Sequence, residues 1–443
     1  MLESVNAFLS GIAVPVLLSL AGIFYGVKLR FFHIFKPGAV IKALVTSGSG
    51  DGISSAKAVS LALAGTLGVG NIVGVSSAIS LGGFGAVFWM WISALLAMLL
   101  KYAEIVLAIR HRYVSQDGTA RGSAMSYITA FFTSRKAKKL GRAISSIFAA
   151  LFLVNALTMG SMLQSGAVSD AAHGTLGLPR LYVGLCLAVF TFFVIRSGTR
   201  GMAGLTSVLV PFMSFGFIAL SMAVIFVNRE DVPNAFRLIV SSAFDTRSLG
   251  YGVGGYAFTR ALRYGFMRGL ISNEAGCGTA PTAHAIAECR SPAHQGAWGI
   301  FEVFVDTVLL CTLTALCVIL EYDAASAWGN NFMMMTLAAY SEHLGKFAEY
   351  FLFAAVLCFG LATIICWAHY GISALEHFTQ TRRAKKCFAV VYCAAVTAGS
   401  VITPTLAWEL ADIAMAAMTL INLTILALSW KSVKEESRIF LSP

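Results

Sequence analysis

Charged residues are scarce in this sequence, and their scarcity excludes a soluble protein. Of its 443 residues only 12% are Asp, Glu, Lys or Arg, whereas 58% are hydrophobic and the mean hydropathy is +0.78. A surface in contact with water needs roughly a quarter or more of charged side chains. Most of the surface of this protein must therefore face lipid.

The apolar runs also lack the alternation of polar and apolar residues that the strands of a membrane β-barrel show. They continue instead for about twenty residues, which is the length of one membrane-spanning helix. We therefore predict an all-α polytopic membrane protein that forms a single transmembrane domain over residues 1–443.

Motifs of common enzymes and metal sites are missing as well. The sequence contains no G-x-S-x-G, H-E-x-x-H, P-loop or CaaX motif, and its nine cysteines show no C-x-x-C or paired spacing. We predict that the protein is not an enzyme and binds no cofactor. The net charge of +11 comes from basic residues in short loops between apolar runs, so it indicates membrane topology and no nucleic-acid partner.

Apolar runs bounded by glycines and charges predict about eleven transmembrane helices. The runs lie near residues 8–29, 56–80, 84–112, 145–171, 180–196, 203–228, 249–266, 297–320, 347–375, 385–402 and 405–430. If the first helix starts outside, most of the 32 Lys and Arg residues fall on the cytoplasmic side. The positive-inside rule therefore predicts a multi-pass protein of the cell inner membrane, with its N-terminus outside and its C-terminus in the cytoplasm.

The first run reads as a retained helix. Glu3 precedes it and Lys28 follows it, the reverse of the charge order in a signal peptide. Without this extra helix at 8–29, ten spans remain, and two blocks of five must run in opposite directions because five is odd. We predict a first repeat over 56–228 and an inverted second repeat over 249–430.

Transporters with inverted repeats bind their cargo where the first helix of each repeat is broken. Span two carries the glycine-rich stretch 65–71, and span seven opens with a second cluster at 250–255 that includes Gly254 and Gly255. We predict that both helices are broken there. Unpaired N–H groups at such a break suit a carboxylate and freed carbonyls suit a cation, so an amino acid beside an ion fits both.

Polar side chains inside apolar spans are the remaining candidates for the site. Gln164 in span four either binds substrate or bonds to a neighbouring helix. Thr363 and Trp367 are four residues apart on span nine and share a face. Threonine in a membrane helix often bonds back to its own helix, whereas a mid-span tryptophan needs an indole partner or a cavity.

Charges within the spans are functional hypotheses by default. Asp306 in span eight is a candidate for an ion or proton role, and Glu302 lies one turn earlier. Lys101 and Glu104 are three residues apart on span three, which predicts a structural salt bridge. The stretch 273–276, Asn-Glu-Ala-Gly, is expected to form a gate or a helix cap and not to touch substrate.

At these residues the sequence resembles the alanine or glycine:cation symporter family, also called sodium:alanine symporters. The resemblance rests on four stretches: LALAGTLGVGNIVGVSSAISLGGFGAVFWMWISALLAMLLKYAEIVLAIRHR (61–112), RGLISNEAGCGTAPTAHAIAE (268–288), EVFVDTVLLCTLTAL (302–316) and ATIICWAHYG (362–371). It implies eleven helices, with one N-terminal helix before a five-plus-five inverted repeat of the amino acid-polyamine-organocation type. It also implies sodium-coupled import of a small neutral amino acid, alanine or glycine, by alternating access.

The resemblance further implies which residues hold the cargo. The substrate would contact residues of the two breaks, span four and span nine: Thr66, Gly68, Val69, Gly70, Asn71, Gln164, Gly254, Gly255 and Trp367. Sodium would be held near Thr66 and Asn71, and Asp306, proposed above from its charge within span eight, is a further candidate for this ion site. A second sodium would lie among Ala64, Leu67, Ala362 and Thr363.

Three departures from the family pattern leave the substrate open. The family's G-G-P-G is Gly-Gly-Phe-Gly here, with Phe84; its G-P-M-Y-Y-I is replaced over 123–128; and its Q-x-N after Gln164 ends in Gly166. Proton coupling through Asp306 or Glu302 of a different small amino acid is the alternative to sodium. A channel would need a ring of filter residues and a membrane enzyme a convergent catalytic set, and neither is evident.

Overall fold

The computed structural model describes residues 9, 13–46, 53–114, 120–244, 253–329, 331–402 and 405–441, with residues 253–257 and 405 described by their backbone alone. Helices dominate these residues. The strands among them, β1 (Tyr113–Val114) and β2 (Ala120–Arg121), form an antiparallel hairpin.

Helices occupy the first half of the chain almost without interruption. They are α1 (Val14–Lys28), α2 (Pro37–Val45), α3 (Ser55–Thr66), α4 (Val75–Gly82), α5 (Gly85–Arg110), α6 (Ala124–Ser134), α7 (Lys138–Leu157), α8 (Leu163–Leu176), α9 (Arg180–Arg196), α10 (Gly198–Val227) and α11 (Val232–Ala243).

The second half continues in the same way. Its longer helices are α12 (Val253–Asn273), α13 (Pro292–Val303), α14 (Cys311–Leu320), α15 (Phe332–Glu376), α16 (Arg382–Gly399) and α17 (Thr405–Glu436). Helices of four or five residues lie at Phe32–Phe35 in the first half, and at Pro281–His284, Tyr322–Ser326 and Arg438–Leu441 in the second. Within α15, Gly345 has a non-helical backbone and marks a kink between two straight parts.

Six helical stretches of the described chain are long and apolar enough to cross a membrane, and the bent pair α3–α4 makes a seventh. The six are Gly85–Arg110, Lys138–Leu176, Gly198–Val227, Pro292–Leu320, Phe332–Glu376 and Leu406–Glu436. The prediction of a multi-pass helical membrane protein is confirmed. Helices α1, α9, α12 and α16 lie at the other predicted spans but are shorter or carry more charge.

Helix α5 lies at the centre of the bundle and α10 at its edge, since 83% of the most apolar window of α5 is buried but only 33% of that of α10. Glycines bring two helices onto α5: a Cβ at Gly265 of α12 would lie within 2.6 Å of Trp89, and one at Gly296 of α13 within 2.7 Å of Tyr102. Such close approach is how membrane helices pack without a hydrophobic driving force.

Span two is broken as predicted. Helix α3 ends at Thr66, a π-helical turn follows at Gly70–Gly74, and the two halves of the span meet at an angle of 51°.

Span seven is broken too, but at another place. Gly254 and Gly255 lie in the first turn of the α-helix α12, and residues 250–252 lie outside the described residues. The prediction of a break is therefore wrong at Gly254 and Gly255, because a glycine costs a helix only about 1 kcal/mol. The helix ends at Asn273, and non-helical backbone over 274–280 leads to the short helix Pro281–His284. We call this segment, 274–280, the second break, and the segment 67–74 between α3 and α4 the first break.

Candidate functional site

π-helical turns interrupt spans two, four and eight, at Gly70–Gly74, Thr158–Met162 and Phe304–Leu310. Such turns are rare and are frequent at functional sites, because the wide turn disturbs the backbone ladder. The first two border one interior cavity through Gly70 and Met159, and the third carries Asp306. The interruptions of the spans therefore converge on one region of the bundle.

The cavity has a volume of about 350 Å³, which lies at the lower end of small-molecule sites. Five of the predicted site residues line it: Thr66, Gly68, Val69, Gly70 and Gln164. Its other walls come from α8, α12, α15, α17 and the second break, and they include Met159, Met267, Arg268, Ser272, Glu274, Phe332, Trp408 and Asp412.

Backbone donors of the first break face this cavity. The N–H of Val69 donates to Oε1 of Gln164 at 3.2 Å, and Nε2 of Gln164 donates to the Met159 carbonyl at 3.3 Å. The N–H of Gly70 has no recorded acceptor among the described residues, and a Cβ added there would meet open space. The amide oxygen of Gln164 thus occupies the kind of position that a ligand carboxylate would take.

Glu274 faces the same cavity from the second break. Its side chain is buried, its backbone is left-handed with φ 52°, and Oε2 accepts a hydrogen bond from Thr279 at 2.7 Å. Oε1 has no partner among the described residues. A non-glycine residue held in this backbone region is strained, and such strain clusters at functional sites. Glu274, which was expected to form a gate or helix cap, thus lines the candidate cavity.

Asn71 and Asp306, both predicted to hold sodium, contact each other. Nδ2 of Asn71 donates to Oδ1 of Asp306 at 2.7 Å, while Oδ2 accepts from the hydroxyls of Ser272 and Thr307, each at 2.7 Å. The carboxylate is fully buried. Because Oδ1 of Asn71 has no partner among the described residues, this cluster still offers an oxygen to a cation.

Thr66 links the first break to a buried ion-pair network. Its hydroxyl donates to Oε1 of Glu302 at 3.2 Å, the same oxygen that accepts from the Lys101 ammonium at 2.7 Å. Oε2 of Glu302 lies 2.9 Å from Nε2 of His284. The predicted salt bridge between Lys101 and Glu104 is wrong, because Lys101 turns to Glu302 and Glu104 accepts instead from the Gly278 N–H at 2.8 Å.

The residues of the second predicted sodium site lie beside the first break. A Cβ at Gly68 would lie 3.0 Å from Oγ1 of Thr363, so the two spans touch there. That hydroxyl donates to the Phe359 carbonyl of its own helix at 2.9 Å and keeps its lone pairs. The carbonyls of Ala64 and Leu67 accept no recorded hydrogen bond among the described residues, and Ala362 is buried alongside.

Four of the nine predicted substrate residues do not line the cavity: Asn71, described above, and Gly254, Gly255 and Trp367. Trp367 is fully buried against Gly160, Phe152 and Tyr370, so it supports the π-helical turn of span four from behind. Gly254 and Gly255 lie about 18 Å along α12 from the cavity wall, at a rise of 1.5 Å per residue.

Gly166, a departure from the family pattern, lies in a neighbouring cavity of about 660 Å³ that shares Leu163, Phe332 and Trp408 with the first. A Cβ at Gly166 would lie 2.8 Å from the Gly399 carbonyl. The missing amide therefore lets α8 and α16 approach each other closely.

The cavity residues that sequence reasoning missed include two aromatic and two charged ones: Phe332, Trp408, Arg268 and Asp412. The signal for the two charged ones was present, since an ionisable residue inside a span is a functional hypothesis by default. Arg268 was instead placed in a polar loop because span seven was predicted to end at 266, whereas α12 continues to Asn273.

Comparisons with known proteins identify the family of this chain. The sodium:alanine symporter family model matches residues 1–441. The chain is 32% identical to the sodium/alanine symporter AgcS of Methanococcus maripaludis, over 99% of this chain and 96% of that protein. It is also 32% identical to the probable sodium/glutamine symporter GlnT of Bacillus subtilis, over 94% and 85%.

A solved structure shares the fold. MhsT, crystallised in complex with L-phenylalanine, matches with a TM-score of 0.56 at 15% identity, over 88% of this chain and 93% of that one. At this identity the likeness concerns the fold alone. The whole-length family match and the relatives that it brings together show function: this chain belongs to the sodium:alanine symporter family, and it is a cation-coupled amino acid symporter of the membrane and not an enzyme.

Proposed function

We propose that this protein imports a small neutral amino acid, of the alanine and glycine class, together with sodium by alternating access. One observation carries the proposal: the N–H of Gly70 and Oε1 of Glu274, which have no hydrogen-bond partner within the described part of the chain, belong to residues that line one cavity. A donor and a carboxylate placed together complement the carboxylate and ammonium of a zwitterion. Gln164, which now caps the Val69 N–H, would yield that donor to the substrate.

Sodium would bind on either side of the first break. Hard cations take several oxygen ligands, and the unpaired Oδ1 of Asn71, beside the Asp306 carboxylate and near Thr66, begins one such site. The free carbonyls of Ala64 and Leu67 with the Thr363 hydroxyl and Ala362 begin a second. Within the described residues no group of three His, Cys, Asp or Glu side chains is placed to hold a metal ion. A cation would therefore bind a mixture of amide, carboxylate, carbonyl and hydroxyl oxygens.

We also propose the membrane architecture that alternating access needs. A helix lies at each of the eleven predicted spans, and the first span of each predicted block, 56–228 and 249–430, is interrupted near the cavity. We infer two inverted repeats after the N-terminal helix at 8–29, in the cell inner membrane, with the N-terminus outside and the C-terminus in the cytoplasm.

The test is uptake by proteoliposomes across a panel of labelled amino acids, with sodium and proton gradients imposed separately. We expect alanine or glycine to accumulate under an inward sodium gradient at constant pH. Accumulation that follows the proton gradient alone would overturn sodium coupling, and accumulation of no neutral amino acid under either gradient would overturn the substrate class.

Proton coupling and sodium coupling can be compared directly at Asp306, because this carboxylate is buried among the neutral donors Asn71, Ser272 and Thr307. Asp306→Asn keeps the shape and removes the charge. Under sodium coupling, the variant should need more sodium at any pH and should regain exchange at high sodium. Under proton coupling it should lose pH-driven uptake and keep counterflow. Asp231→Asn, at an exposed aspartate that lines neither this cavity nor its neighbour, is the matched control and should transport like the parent.

A further inference from the structure

Arg268 and Asp412 are two opposite charges on the wall of the substrate cavity that the proposed transport mechanism does not use. Arg268 lies on α12 and Asp412 on α17. Ionisable residues in this position cost several kcal/mol in an isolated helix and are kept where they bind or conduct something. Their role therefore requires an explanation of its own.

The position of the pair along the helices separates it from the two breaks. Arg268 is one turn, about 6 Å, before Ser272, the residue that contacts Asp306. Glu274 follows beyond the end of the same helix. The cavity thus extends from the breaks, where Gly70 and Glu274 lie, to a second polar end formed by Arg268 and Asp412. An amino acid whose head lies at the breaks would share the cavity with Arg268 and Asp412.

The Arg268 guanidinium has a packing partner, but one of its hydrogen-bond donors has no acceptor among the described residues. It lies over the ring of Trp408, 5.9 Å from the ring centroid, and Trp408 is one turn before Asp412 on α17. Its Nε is buried without a hydrogen-bond partner among the described residues, and the negative charge that acts on it is that of Asp412. A buried donor without an acceptor is unfavourable, so a ligand that supplies the acceptor gains affinity.

We propose, resting on the proposed amino-acid transport, that Arg268 and Asp412 select a substrate with a neutral polar side chain of the carboxamide class. A carboxamide offers one acceptor to the guanidinium and N–H donors to the carboxylate. A side-chain carboxylate would face Asp412, and a side-chain ammonium would face Arg268, and either leaves like charges together. The 350 Å³ volume also exceeds what an alanine side chain fills.

The experiment compares shape-matched side chains as competitors of labelled alanine in proteoliposomes: asparagine against leucine, and glutamine against methionine. We expect the parent to bind the amides about tenfold or more tightly than the apolar partners, because a site with polar groups rejects an analogue that leaves them unpaired. Equal inhibition by asparagine and leucine would overturn the proposal.

Variants of Arg268 and Asp412 test whether these two residues cause the preference for amide side chains. Arg268→Gln and Asp412→Asn should each lower the amide preference by about tenfold while alanine affinity changes far less. Arg263→Gln is the matched control, because Arg263 lies on the same helix with an equally unpaired Nε but off the cavity, and it should keep the preference. Arg268→Lys keeps the charge without the planar fork and covers the case that the glutamine variant does not fold.

Two outcomes separate this proposal from the transport function on which it rests. If both variants weaken alanine and asparagine equally, the pair holds the α-groups or closes the cavity, and the selectivity proposal is wrong while transport stands. If no sodium-driven uptake occurs but asparagine raises the melting temperature of the purified parent more than leucine does, transport is wrong and the amide-selective cavity stands.

Discussion

The two helix breaks that meet at the cavity differ in what satisfies their backbone. In the first break, the Gly70 N–H and the carbonyls of Ala64 and Leu67 have no recorded partners among the described residues. In the second, protein groups take the freed positions: the Lys101 ammonium binds the Asn273 carbonyl at 2.6 Å, and the Asn422 amide binds the Gly276 carbonyl at 2.9 Å.

Glycine plays a different part in each break. Gly276 and Gly278 have φ of 84° and 79°, and a Cβ at Gly278 would lie 2.8 Å from Phe148. Gly70 has no left-handed backbone and open space beside it. The first break therefore has room for a ligand, whereas the second is a fixed support that presents Oε1 of Glu274, a side-chain oxygen without a partner among the described residues.

The largest expected effect comes from removing the cation that satisfies the second break. Lys101→Met leaves the Glu302 carboxylate and the Asn273 carbonyl without the ammonium between them. Breaking a buried ion pair on one side costs about 3–5 kcal/mol. We expect the unfolding temperature of the purified variant to fall sharply, or its yield of monodisperse protein to collapse.

The double variant Lys101→Met/Glu302→Gln is the control for this prediction. It removes both charges of the pair and should be more stable than the single variant, because the Glu302 carboxylate is no longer left buried without its ammonium partner. A single variant as stable as the parent would show that the second break does not depend on its protein partners.

Adding one methyl group distinguishes the two glycine roles. Gly278→Ala forces a side chain into a left-handed position, at about 1–2 kcal/mol, and crowds Phe148 and Ala124, at about 1–3 kcal/mol more. Thermal unfolding should reveal the loss. Gly70→Ala should unfold like the parent but bind substrate about tenfold more weakly in competition uptake, since its methyl enters the cavity.

Gly204→Ala serves both variants as a control. Gly204 lies inside α10 with nothing within 4 Å of an added Cβ, so alanine should keep or slightly raise stability there and leave uptake unchanged. Should Gly70→Ala unfold early while keeping its substrate affinity, the distinction between a ligand break and a structural break is lost.

The first break could be predicted from the sequence, whereas the position of the second could not. The break of span two was predictable because its glycines are the unwound residues themselves, and polar residues within apolar runs, Gln164 and Asp306, identified neighbours of the site. Span seven was misplaced because the glycines at its start are tolerated in a helix, whereas its end depends on Lys101 and Asn422, which lie far away in sequence. Local pattern cannot indicate such partners, nor that Lys101 prefers Glu302 to Glu104.

The smallest expected effect concerns the ion at the first break, and a matched pair of threonines isolates it. Thr363 and Thr206 are both buried and both donate to a carbonyl of their own helix, but only Thr363 lies against the first break at Gly68. Alanine costs each residue the same local hydrogen bond. Thr363→Ala alone should also lose a sodium ligand, so the sodium concentration for half-maximal uptake should rise about fivefold, the equivalent of about 1 kcal/mol. Thr363→Ser should restore it, and Asn71→Ala should raise it by a similar factor. If Thr363→Ala and Asn71→Ala both keep the sodium dependence of Thr206→Ala, the free carbonyls of the first break bind something other than sodium.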